Sequence, residues 1–398
     1  MNNAISNPEV QDYLRKHLTL SPTVIALRKS PFSNISAGEL ANQLDGLKRS
    51  RKKLPLWFNT PGIYYPNLLA IEQASSALTA MYKGKLIPAG AKLIDLSGGF
   101  GVDSYYFSKQ AKEVIHCEQN VELSQIAAHN TELLGANNIT FFAGDGISYL
   151  ATQSQQFDVI YIDPSRRIKQ QKVFRLSDCE PDVVNELTSL LRKTKYLLIK
   201  AAPLLDITAA LKELENVKEV HIISVQNECK ELLFIVEVGY NQQPDFHCVA
   251  LTNKGEELFI FSERQEIASC PIYKQPQHYL YEPDTALLKG GCFRYIAVAF
   301  NLYKLNQHTH LYTADYVNPS FIGRTFEVIS TEDYTIFKKN KALLTANVST
   351  RNFPLKPEAL KKKHHIKDGG PLYLFFCTGP RGELLVISCR KLSSPAHS

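Results

Sequence analysis

The sequence predicts an α/β protein: a Rossmann-like sheet with a helical region before it and an α+β section after it. Three observations carry that expectation. A short apolar run, Leu93, Ile94 and Leu96, leads into Ser97-Gly98-Gly99-Phe100-Gly101, and Tyr105, Tyr106 and Phe107 begin a helical pattern. Strand and helix patterns then alternate as far as residue 214, as parallel strands require, because each needs a crossover connection. Beyond Gly239 the alternation gives way to a hairpin pattern and mixed strands and helices.

The chain opens with helical spacing over 8–18 and 37–47, the second capped by Ser36 with Glu39 three residues on. A basic cluster follows over 48–53, a candidate phosphate contact or a solvated face. Leu54-Pro55-Leu56-Trp57 then breaks the helix. A helix over 66–82 brings small polar residues, Ser75, Ser76 and Thr79, up to the glycine-turn strand. In that turn the three glycines permit a tight bend and close approach of a ligand to the backbone. The order differs from G-x-G-x-x-G, because Asp103 stands where the last small residue is expected. An acid at a helix N-terminus repels a pyrophosphate and suits a ligand with an amino group or sugar hydroxyls. Asp95, at the strand end, points the same way.

A second strand over 113–118 ends in Glu118, about 20 residues past the turn, where a carboxylate can accept from ribose hydroxyls. After a helix over 121–134, the strand over 139–142 leads into Gly144-Asp145-Gly146. The strand over 157–162 ends in Asp163-Pro164-Ser165-Arg166-Arg167. Pro164 biases Asp163 to an extended conformation at the sheet edge. Asp163 is a candidate hydrogen-bond or proton acceptor, and Arg166 and Arg167 are candidate phosphate contacts. Helices over 181–191 and 206–214 flank a strand over 196–200, and strands over 220–225 and 231–238 close as a hairpin. The polar link between them carries Cys229, a methyl-accepting candidate with no assignable acid–base partner.

The glycine turn resembles motif I of the class I S-adenosylmethionine-dependent methyltransferases, whose sheet has seven strands with the last antiparallel. The resemblance implies that the segment from Asp95 to Gly101, with Ser97, Gly98 and Gly99, cradles the methionine end of the cofactor, and Asp103 is a further cofactor-binding candidate. It also implies that Glu118 meets the ribose and Asp145 the adenine amino group. The Asp163-Pro164-Ser165-Arg166 stretch resembles motif IV of nucleic-acid methyltransferases. It departs by having Ser165 for a second proline and no aromatic after it, so the stacking platform for a flipped adenine is missing. Tyr281-Glu282-Pro283-Asp284 and Asn227-Glu228-Cys229-Lys230-Glu231 look like the pattern of bacterial methyltransferases with a C-terminal THUMP-like domain. This likeness runs from Trp57 to Lys391. The patterns divide the chain into a helical region over 1–85, a methyltransferase domain over 86–240 and a hairpin and linker over 241–275. The likeness implies a ferredoxin-like region over 276–323 and a THUMP-like domain over 324–398. Together these imply S-adenosylmethionine-dependent methyl transfer to a base in tRNA or rRNA.

Composition bounds the alternatives. No apolar run among the 398 residues spans a bilayer, and the first residues do not read as a signal peptide. Eight cysteines without a C-x-x-C pair argue against zinc ribbons, iron–sulfur clusters and a secreted disulfide framework, and for a reducing cytoplasm. No metal is expected. The net charge of +6 is uneven: from Arg324 onward thirteen Lys/Arg stand against six acids, and the remainder is close to neutral. A basic end on a neutral body suits a polyanion such as RNA. An NAD-dependent oxidoreductase is disfavoured by Asp103 and the closing hairpin. A non-catalytic RNA-binding protein on the same scaffold is disfavoured by the intact strand-end acids.

Overall fold

A computed structural model describes residues 1–166, 175–253, 255–339 and 343–392. The chain packs as two compact units: residues 1–218 with 233–242, and residues 219–232 with 243–398.

In the first unit the strands are β1 (Lys92–Asp95), β2 (Glu113–Glu118), β3 (Ile139–Ala143) and β4 (Phe157–Ile162). A two-residue ladder, β5 (Ser165–Arg166) with β6 (Cys179–Glu180), follows, then β7 (Thr194–Ala201). The chain continues through β8 (Val217–Val225) and β9 (Glu228–Glu237), a hairpin whose residues divide between the units. Gln226 and Asn227 turn that hairpin with φ of 53° and 65°, the left-handed pair that matches strand twist. The sheet order is β9-β7-β4-β1-β2-β3, and β1, β2, β3, β4 and β7 are all parallel. Strand order runs one way from β1 to β2 and β3, then restarts on the other side with β4. Such a reversal opens a crevice at the carboxyl ends of the strands, the position where open α/β sheets bind ligands. Leu93, Ile94, Val159, Ile160 and Leu197 are fully buried, as central strands covered on both faces demand.

The N-terminal helices belong to this unit's core. Trp57, Tyr65, Leu44 and Leu47 pack in one apolar cluster with Phe100, Val102, Tyr105 and Ile126 from around the glycine turn. The helix expected over 37–47 runs on through the basic cluster as Ala37–Lys53, with the Ser36–Glu39 capping box present. The single helix expected over 66–82 is instead two, Leu68–Gln73 and Ala77–Lys85. The break falls at Ala74 and Ser75, because Ser76 caps the second helix by accepting from Thr79 N.

The second unit adds β10 (Asp245–Thr252) and β11 (Gly255–Ser262); β10 lies parallel to the main part of β8 and antiparallel to β11. It also holds a seven-stranded sheet made of β12 (Tyr279–Pro283), β13 (Tyr303–Lys304), β14 (Tyr312–Ala314), β15 (Gly323–Asp333), β16 (Asn347–Arg351), β17 (Leu372–Thr378) and β18 (Leu384–Lys391). Its order is β13-β14-β12-β15-β18-β17-β16, so β12 pairs directly with β15. The helix expected after Lys289, as far as about Tyr303, is confined to Tyr295–Ala299; the short helix before it, Thr285–Gly290, ends at Gly291 in the left-handed region at φ 80°. Among the described residues no helix is long and apolar enough to cross a membrane.

Candidate active site

Everything at the carboxyl edge of β1, β2 and β4 is tied to the glycine turn. Asp95 is completely buried at the end of β1. One of its oxygens accepts from Ser97 N at 3.0 Å, and the other accepts from Ser104 Oγ at 2.6 Å. Burial pushes its carboxyl up to about 7, against the lowering effect of those two donors. Asp95 therefore lies beneath the turn and shapes it. Ser104 Oγ also lies 3.0 Å from His116 Nδ1, and burial drives that imidazole's pKa down to about 3, so it is neutral. The ring fills the space next to Gly98, where a Cβ would lie 2.1 Å from His116 Cε1. That close approach explains the first glycine. Gly101 adopts φ 79°, and a Cβ there would lie 3.0 Å from Ala127 on the helix Val121–Leu133. Gly99, at φ 55°, has only Ser97 O near its missing Cβ, at 3.8 Å. Its backbone is thus open to an approaching group.

Glu118, at the tip of β2, accepts from Gly99 N at 2.9 Å and from Asn120 N at 2.8 Å. These bonds set its carboxylate directly beside the turn. Asp145 caps the helix Gly146–Thr152 and accepts from Ser148 N and Oγ and from Gln119 Nε2 at 3.1 Å. The Ser148 hydroxyl and backbone bonds hold its carboxyl below the usual range, outweighing partial burial. A Cβ on Gly146 would lie 2.6 Å from Leu96 O, so this helix start packs on the backbone leaving β1. Asp163 follows β4; its N donates to Ser97 Oγ at 2.6 Å and its carboxylate pairs with Lys200 Nζ at the end of β7. Arg167 and the side chain of Arg166 lie outside the described residues.

Asp103 sits in the first turn of the helix Val102–Phe107, where the odd glycine pattern placed it. It is buried and pairs with Lys83 at 2.9 Å, while Ser75 Oγ and Tyr161 OH donate to it at 2.8 and 2.9 Å. Burial would raise this carboxyl, but the Lys83 and Lys200 charges outweigh that and hold it below the ordinary value. Sequence reasoning missed Lys83, Lys200, Ser104 and His116. A signal existed for Lys200, the lone charge closing an apolar strand as the four acids do. Lys83 carried none, since a lysine in a helix reads as solvent-facing until burial is known.

Three other expectations resolve into structure. Glu282, only 1 % exposed, is clamped by Arg351 at 2.7 Å and by Arg324, so two of the C-terminal arginines are spent inside the fold. In the basic cluster over 48–53, Lys48 donates to Leu20 O, Arg49 pairs with Asp45 and Glu72, and Lys53 donates to the carbonyls of Ile71 and Glu72. Burial pushes the Cys229 thiol up to about 11, which leaves little thiolate at neutral pH.

A doubly wound parallel sheet with acids closing its strands beside a glycine turn forms a nucleotide-type crevice at the carboxyl edge of the strands. Comparison with known proteins agrees. Residues 76–225 match a family described as conserved hypothetical protein 95, residues 279–321 a ferredoxin-like domain, and residues 323–391 a THUMP domain-like family. A crystal structure of a Porphyromonas gingivalis W83 protein assigned as a methyltransferase superposes with a TM-score of 0.86. It shows 31% identity and covers 98% of each chain. An uncharacterised S-adenosylmethionine-dependent methyltransferase of Mycobacterium tuberculosis is 20% identical over 76% of this chain and 81% of its own length. An uncharacterised RNA methyltransferase of Mycoplasma mobile is 29% identical over 23% of this chain, which spans only 25% of that protein. The chain belongs to the family of S-adenosylmethionine-dependent methyltransferases that carry ferredoxin-like and THUMP-like C-terminal domains.

The residues present fit that cofactor. Gly99 leaves its backbone open, and Glu118 presents a carboxylate suited to a vicinal diol. Asp103, expected to face the ligand, is instead turned inward and paired with Lys83.

Proposed function

We propose that this chain methylates a base in structured RNA, tRNA or rRNA, in the cytoplasm. The observation that supports it best is the set of hydrogen bonds that draws Asp95, Glu118 and Asp163 from three neighbouring strands onto one glycine turn. Glu118 accepts from the ribose hydroxyls, Asp145 faces the adenine amino group, and Ser97, Gly98, Gly99 and Gly101 line the methionine end. Asp95 holds the turn in shape from below, and Asp103 fixes Lys83 behind it. The bound cofactor supplies an electrophilic methyl group. Asp163, steadied by Lys200, orients the target atom or takes its proton, and Arg166 and Arg167 contact phosphate. RNA is the substrate class favoured by the THUMP-like match, the names of relatives and the basic C-terminal section.

The test separates binding from chemistry. Calorimetry should show S-adenosylhomocysteine binding the parent and Asp163→Asn with equal affinity, and NAD binding neither. Labelled methyl transfer to total tRNA and rRNA should fall about 10²–10⁴-fold in Asp163→Asn, the usual general-base contribution. Undiminished transfer would reduce Asp163 to a turn residue, and tight NAD binding would overturn the cofactor reading.

A further inference from the structure

The second unit carries a cluster that the methyltransferase reading does not use. Glu219 and His221 stand two residues apart on β8, so they share one face of the strand. β10 runs parallel beside it with Asp245 opposite Glu219 and His247 opposite His221. Register partners on parallel strands face the same side. The pattern along that face is therefore a carboxylate pair, then an imidazole pair, then the apolar pairs Ile223 with Val249 and Val225 with Leu251. The imidazoles stack with centroids 4.4 Å apart and planes 28° from parallel.

Distances narrow the interpretation. His221 Nε2 lies 2.9 Å from Glu219 Oε2, and His247 Nε2 lies 3.8 Å from that same oxygen. One ligand atom each from Glu219, His221 and His247 fall within 4.8 Å of one another. A zinc ion holds nitrogen at about 2.0–2.1 Å and carboxylate oxygen at about 2.0–2.2 Å, so neighbouring atoms of a tetrahedral shell are about 3.4 Å apart. The two short distances bracket that spacing. His221 is buried while His247 and Glu219 are partly exposed, which leaves an entry path.

We propose that Glu219, His221 and His247 form a divalent transition-metal site, with zinc the matching ion and Asp245 or water completing the shell. Two imidazoles and a carboxylate suit zinc or iron(II) and are poor ligands for magnesium. The ion ties β8 to β10 and has a structural effect on the second unit that is independent of methyl transfer.

The experiment uses the full chain, stripped with a chelator and dialysed. Titration with zinc chloride should show one equivalent bound and a rise in melting temperature, with magnesium chloride giving neither. Cobalt(II) should give visible ligand-field bands without a thiolate charge-transfer band. His247→Gln and Glu219→Gln should each weaken zinc binding by more than about tenfold, the loss that even an outer-shell change produces. His221 is buried, so His221→Gln is read only where circular dichroism shows native structure, and the His247 and Glu219 variants decide otherwise. Zinc bound as tightly by those two variants as by the parent, a thiolate band with cobalt, or no zinc bound by the parent would each overturn the site.

Discussion

Asp95 and Asp103 are both buried acids beside the same turn, yet they answer burial in opposite ways. Asp95 has only hydroxyl and amide donors, so burial dominates and its carboxyl rises from 3.8 to about 7. A raised carboxyl binds its proton more tightly in the fold than in the unfolded chain. The stability it contributes is complete below about pH 4 and is lost as pH climbs through about 7. At roughly 1.36 kcal/mol per pH unit, the loss has an upper bound of roughly 4 kcal/mol. Asp95→Asn removes that titration. Its melting temperature relative to the parent should therefore improve between about pH 4.5 and 8, and any constant offset from the amide cancels in the comparison. A difference that stays flat with pH would show that Asp95 titrates as an ordinary acid. Asp103 is instead stabilised as an anion by Lys83. Lys83→Met leaves that charge buried and unpaired, at a cost of about 3–5 kcal/mol in denaturant unfolding. Lys83→Met with Asp103→Asn should recover much of the loss. Equal stability of the single variant and the parent would contradict the pairing.

At the scale of elements, the glycine turn works because β2 comes close enough to put His116 against Gly98. Gly98→Ala drives a Cβ into a ring that is hydrogen-bonded through Ser104 to Asp95. The neighbours cannot yield separately. We expect a loss of about 1–3 kcal/mol from overpacking, together with weaker S-adenosylhomocysteine binding. Because the clash is with one side chain, Gly98→Ala and His116→Ala should not add. The double variant should be more stable than the sum by about 0.5–3 kcal/mol. Strict additivity in a double-mutant cycle would assign the glycine to backbone conformation alone. The helix break at residues 74–76 belongs to the same scale. Ser75, within the break, donates to Asp103 at 2.8 Å.

At the scale of the whole molecule, the asymmetry of charge is the feature most open to test. Within the C-terminal basic section, Arg324 and Arg351 are committed to Glu282, and Lys361 pairs with Asp368 at 2.9 Å. Lys362 and Lys363 are exposed on the helix Pro357–Lys363. Each phosphate that such residues neutralise adds a slope of about −0.7 to −0.9 in log affinity against log salt. Replacing Lys361, Lys362 and Lys363 by Glu should weaken binding of structured RNA at low salt and flatten the slope, with S-adenosylhomocysteine affinity unchanged. RNA titrations at two salt concentrations that match the parent would make this helix a solvated face.

The strand-end acids, the glycine turn and the closing hairpin were legible in the chain because each is local. An apolar run ended by an acid, or glycines at fixed spacing, needs no knowledge of distant residues. The run of parallel strands followed from alternation and the C-terminal domains from their motifs, whereas the seven strands expected for the sheet are nine, because β10 and β11 extend it beyond β8. What tertiary structure alone decided was the partner of each charge. Lys83 meets Asp103 and Lys200 meets Asp163 across tens of residues. Glu282 takes two arginines that composition had counted as surface charge. The pairing of β8 with β10 likewise set Glu219, His221 and His247 together, although their spacing matches no local metal motif. Sequence carries short-range pattern, whereas ionic pairing and ligand convergence depend on strand register and burial, which exist only once distant segments have packed.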